Sequence, residues 1–61
     1  PKQYRAHDVL GLIMKHQGHP DEAVKHFTEA LRLEPGDAVA KENLRQVQAG
    51  RARKGNRDDL S

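Results

Sequence analysis

The sequence predicts an all-α fold, an αα-hairpin followed by a third, capping helix, and three observations carry that prediction. Apolar residues recur at helical spacing in two adjacent stretches, from about Tyr4 to Gln17 and from Pro20 onward. Between the two stands Gln17-Gly18-His19-Pro20, where a glycine ends one helix and a proline starts the next. A second stop, Pro35-Gly36, precedes a further amphipathic segment that opens on Asp37.

In the first helix, Ala6, Leu10, Ile13 and Met14 form a stripe that is expected to face the core. Gly11 sits beside the stripe. A glycine inside a helix costs about 1 kcal/mol against alanine, so its presence predicts a close helix approach, with Ala23 as the expected neighbour. The opposite, solvated side then carries Arg5, Asp8, Leu12, Lys15 and His16.

The second helix is the most sharply specified. Pro20 suits the first helical position, and Asp21 and Glu22 set negative charge against the positive end of the helix dipole. Ala23, Val24, Phe27, Ala30 and Leu31 make one apolar stripe, with Lys25, Glu29 and Arg32 on the other side. The third helix is expected from Ala38 to about Ala49, with Asp37 as its N-cap. Its stripe is narrow, Ala40, Leu44 and Val47, which predicts a helix wetted over most of its surface.

Residues 50–61, GRARKGNRDDLS, show no periodicity and read as a disordered tail. Residues 1–49 hold seven Lys or Arg and seven Asp or Glu, so the net charge of +2 belongs to that tail. The basic balance therefore marks a tail and not a basic face, and nucleic acid is not an expected partner.

Leu10-Gly11, Gly18, Ala23, Phe27, Ala30 and Pro35 fall together at the spacings of a tetratricopeptide repeat, and residues 4–37 resemble that family. His7 and Met14 depart from it, standing where the family often has aromatics. Shifting the sequence by 34 residues aligns Pro1 with Pro35, Ala6 with Ala40, Leu10 with Leu44 and Ile13 with Val47. Residues 1–3 are thus expected to be a lead-in or the close of an upstream repeat, and residues 38–49 the solvating cap of the array. The resemblance implies a right-handed superhelical packing of helix pairs.

Composition narrows the chemistry. Sixty-one residues with no cysteine offer one small domain, no thiol chemistry and no disulfide, which fits a cytoplasmic setting. No apolar run is long enough to span a membrane, so no membrane partner is expected. The hydroxyls are Thr28, Ser61 and Tyr4, no phosphate-binding glycine loop occurs, and three short helices enclose no substrate cavity. The chain is not expected to be an enzyme or to carry a cofactor. His7, His16, His19 and His26 lack the spacing of zinc ligands, and His7 is expected to pack near the core.

Surface recognition remains. The resemblance implies that the first helix of each pair lines a concave face that binds a peptide or protein. On that face Leu12, ringed by Arg5, Asp8, Lys15 and His16, has the anatomy of a contact site with a polar rim. Asn43 sits where the resemblance would place an asparagine of a carboxylate-gripping clamp, but Asp8 and Leu12 stand where that clamp needs Lys and Asn. The expected function is a protein-interaction module of a longer scaffold or adaptor. The alternatives are self-association, as a homodimer through an apolar edge at Tyr4 and Val9, and service as an accessory domain of a larger enzyme.

Overall fold

The chain forms α1 (Gln3–His16), α2 (Pro20–Leu33) and α3 (Ala38–Leu60) in that order. The computed structural model describes the backbone of residues 3–60 and the side chains of residues 3–51. The lead-in expected at residues 1–3 therefore lies, apart from Gln3, outside the described residues, as do Ser61 and the side chains of Arg53, Lys54 and Arg57.

Each boundary follows from local chemistry. At the end of α1 the Gly18 amide donates to the Lys15 carbonyl at 3.2 Å and the His19 amide to the Met14 carbonyl at 2.8 Å. That pair of bonds closes a helix only when the residue between adopts a left-handed backbone, and Gly18 does so at φ 82°. Pro20 opens α2 without a side-chain cap from His19. At its far end Glu34 is extended, as a residue preceding proline must be, and its amide donates to the Ala30 carbonyl at 2.8 Å. Asp37 then caps α3, its Oδ1 accepting from the amides of Val39 at 3.1 Å and Ala40 at 3.3 Å.

The core is built outward from α2. Ala23, Phe27 and Ala30 are fully buried, and α3 adds Ala40 and Val47. Tyr4, Leu12, Met14, Val24, Leu31 and Leu44 pack around them, half-buried. α2 is the shared partner, with α1 against one side and α3 against the other, while α1 and α3 meet only lightly.

Three expectations are corrected. The buried residues of α1 are Asp8 and Gly11, whereas Leu10 and Ile13 are 40 % and 41 % exposed. Asp8, Leu12 and Lys15 therefore do not lie on the solvated side of α1. An apolar stripe marks a face to be covered, but a glycine adds nothing to such a stripe, and here the glycine makes the contact. The side chain nearest Gly11 is Phe27 rather than the expected Ala23: a Cβ at position 11 would stand 2.6 Å from Phe27 Cε1 and 2.8 Å from Cζ. Finally, α3 does not stop near Ala49 but continues as helix through Gly50 and Gly55 to Leu60. A glycine weakens a helix without terminating it unless the backbone turns left-handed or a proline follows, and here the backbone stays helical through both glycines with no proline after them. Arg51 anchors the continuation by pairing with Asp21 at 3.1 Å, opposite the start of α2.

The Gly11 contact yields a test. Gly11→Ala gains about 1 kcal/mol of helix propensity but drives a methyl into the Phe27 ring, an overpacking that costs typically 1–3 kcal/mol. Net destabilisation in a urea melt is the expected result, and a stabilised variant would show that the ring can move aside freely.

Candidate interaction surface

The side of α1 that borders α3 is linked to it by a polar contact. Lys15 Nζ donates to Gln46 Oε1 at 2.8 Å, and Gln46 Nε2 donates in turn to Glu42 Oε2 at 3.2 Å. This chain of donors spans the two helices where few apolar contacts do. Asn43, half-buried on the same helix, donates its amide to the Val39 carbonyl at 2.9 Å, so part of its capacity is already used by its own backbone.

The residues expected to contact a partner fall into two groups. Arg5 and His16 are exposed, with the Arg5 guanidinium 6.0 Å from the centre of the Tyr4 ring. Asp8, Leu12 and Lys15 turn toward the other helices: Leu12 packs against the core cluster, and Lys15 is held by α3. Leu12 is thus a floor with Arg5 and His16 beside it, rather than a projecting knob.

α1 also contributes one of a pair of buried carboxylates. Asp8 is 8 % exposed and Asp37 is 7 % exposed. Two ionised carboxylates can only accept, and Asp8 Oδ1 and Asp37 Oδ2 have no protein donor. A proton on Asp8 resolves the conflict, because it converts a repulsion into a hydrogen bond to Asp37. Burial, that hydrogen bond and the charge of Asp37 together push the Asp8 carboxyl up to about 7.

On the other side of α1, His7 and His26 bring their Nδ1 atoms to 3.4 Å, with ring centres 5.7 Å apart. One ring donates and the other accepts, which links α1 to α2 across the turn. His7 is half-buried, in line with the packed histidine expected from sequence. Its partner could not be foreseen, because the two are separated by a turn whose exit angle the sequence does not specify. Nearby, Glu29 accepts from Arg32 Nε at 2.9 Å, and the guanidinium holds its carboxyl below the usual range. Among the described residues no three histidine, aspartate or glutamate side chains gather as a metal site requires. No helix of the described residues is long and apolar enough to cross a membrane.

A family model described as a tetratricopeptide repeat matches residues 4–37, from the first turn of α1 to the N-cap of α3. Comparison with curated proteins and with solved structures gives no match.

Proposed function

Because the chain belongs to the tetratricopeptide repeat family over residues 4–37, whose repeats are protein-interaction motifs and typically non-catalytic, we propose that it is a recognition module. It takes a peptide or protein on the side of α1 that borders α3. The observation that supports this surface is the Leu12 floor, half-buried and flanked by the exposed Arg5 and His16, an apolar spot with polar neighbours free to meet a partner. Lys15 and Asn43 form the α3 side of the same surface, and Asp8 acts by holding Asp37 and hence the start of α3. In this reading α3 closes a repeat array in a scaffold or adaptor, because from Ala38 to Arg51, its described side chains, it buries Ala40 and Val47, half-buries Asn43 and Leu44, and leaves the others exposed.

The test is selection of binding peptides from a displayed library, followed by affinity measurement on Arg5→Glu plus His16→Glu. Both positions are exposed, so the helical spectrum should be unchanged. Affinity should fall about tenfold or more. Selected peptides that bind parent and variant alike would place recognition elsewhere.

A second reading, self-association, is favoured by the outer face of α1. Val9 is 55 % exposed beside Leu10 and Ile13. Thirty-four residues on, the counterparts of Leu10 and Ile13 are Leu44 and Val47, which lie against the core. The edge is centred on Leu10 and Ile13 rather than on Tyr4, which packs inward. Sedimentation equilibrium decides it: a monomer at every concentration removes this reading, and a dimer that Leu10→Lys plus Ile13→Lys dissociates supports it.

A further inference from the structure

An open groove of about 530 Å³ runs beside α3 near the end of α2. Leu31 and Leu44, both half-buried, supply its apolar surface, and Ala38, Lys41, Glu42, Arg45 and Gln48 line it from α3. The same 34-residue shift that relates α3 to α1 identifies this face. Ala38 corresponds to Tyr4, Lys41 to His7, Arg45 to Gly11 and Gln48 to Met14. On α1, those are the residues that meet α2: Gly11 lies against Phe27, His7 against His26, and Tyr4 and Met14 pack on the core. α3 thus turns to solvent the side that α1 gives to a helix, and from Ala38 to Gln48 it offers a bed about 15 Å long, enough for three helical turns.

The chemistry of the bed is different from that of α1. Where α1 has glycine, α3 has Arg45, and where α1 has a histidine, α3 has Lys41. A helix of the kind represented by α2, with a phenylalanine at the crossing, would meet a guanidinium stem instead of open space. Lys41 and Arg45 are exposed, stand one turn apart and make no ion pair among the described residues. Glu42, the acid between them in sequence, also lines the groove and accepts from Gln46, so two cations face one carboxylate there and the balance is positive. The positive end of the α3 dipole at Ala38 adds to the same sign.

We propose that this groove docks an acidic amphipathic helix of a partner protein, its apolar residues on Leu31 and Leu44 and its carboxylates toward Lys41 and Arg45. The surface is separate from the α1 side described above, so each can fail without the other.

The probe is a fluorescein-labelled synthetic peptide as long as α2, 14 residues, with leucines on one helical face, glutamates flanking them and alanine elsewhere. A scrambled peptide and one with lysine for every glutamate are its controls. Fluorescence anisotropy should show saturable binding of the acidic peptide that weakens with salt. Lys41→Glu plus Arg45→Glu, checked for unchanged helicity, should weaken it about tenfold or more and improve binding of the lysine peptide. Absence of saturable binding, equal binding of the scrambled peptide, or indifference to the double variant would each overturn the proposal. So would a dimer of the chain that Lys41→Glu plus Arg45→Glu dissociates, because the occupant would then be a second copy.

Discussion

Replacing Phe27 with alanine unfolds the chain at room temperature. Its ring is the largest fully buried side chain among the described residues, and it fills the space that Gly11 leaves on α1. Truncating a buried phenylalanine typically costs 3–5 kcal/mol, part from lost transfer free energy and part from the cavity left behind. At about 0.05–0.15 kcal/mol per residue, a chain of this length has a total stability of the same order. The remaining core offers little to collapse into the gap, since Ala23, Ala30 and Ala40 are all small. Far-UV circular dichroism at 25 °C should therefore show loss of most of the helical signal. A cooperative melt within a few degrees of the parent would mean that the Gly11–Phe27 contact is not the centre of the fold.

Asp8→Asn has its largest effect at alkaline pH, and the effect is stabilising. The folded chain holds the Asp8 proton up to about pH 7, against 3.8 for the carboxyl in its ordinary state. A pKa raised by folding contributes stability that is complete below the unfolded value and is lost as pH rises through the folded one. Between about pH 4 and pH 7 the parent therefore weakens steadily, and above pH 7 the loss levels off at something on the order of 2–4 kcal/mol. Asparagine has no proton to lose and its amide can donate to Asp37. Urea melts of the two proteins should coincide near pH 4 and separate progressively toward pH 8, with Asp8→Asn the more stable. Parallel curves would show that Asp8 and Asp37 do not share a proton.

The helices, their turns and the residues of α2 were legible in the sequence because each rests on local chemistry. Gly18 and Pro20 specify the first turn, Glu34 and Pro35 the second, and Asp37 the start of α3. Ala23, Phe27 and Ala30 are buried as their spacing requires. The orientation of α1 was not legible. Ala6, Leu10, Ile13 and Met14 make the strongest apolar stripe of that helix, yet its centre of packing is Gly11, which has no side chain to register in any periodicity. Asp8 compounds the difficulty, because an aspartate is expected outside unless a partner for its charge is known, and its partner is another acid 29 positions away. The helix beyond Ala49 was hidden for the opposite reason: Gly50 and Gly55 resemble stops, and only the backbone shows that neither turns. Of the candidate surface, the exposure of Arg5 and His16 was legible, while the depth of Leu12 and the link from Lys15 to α3 depend on the rotation of α1.

Because α2 stands between the other two helices and α1 and α3 share little, nearly every contact joins elements adjacent along the chain. A chain wired in this way closes only short loops on its route to the native state, so the entropic barrier is low and folding belongs to the microsecond-to-millisecond class of helical proteins. It also sets an order of disassembly. Under mild denaturant α3 can detach while the Gly11–Phe27 lock still holds α1 on α2, so amide hydrogens of α3 exchange first and those around Phe27 last.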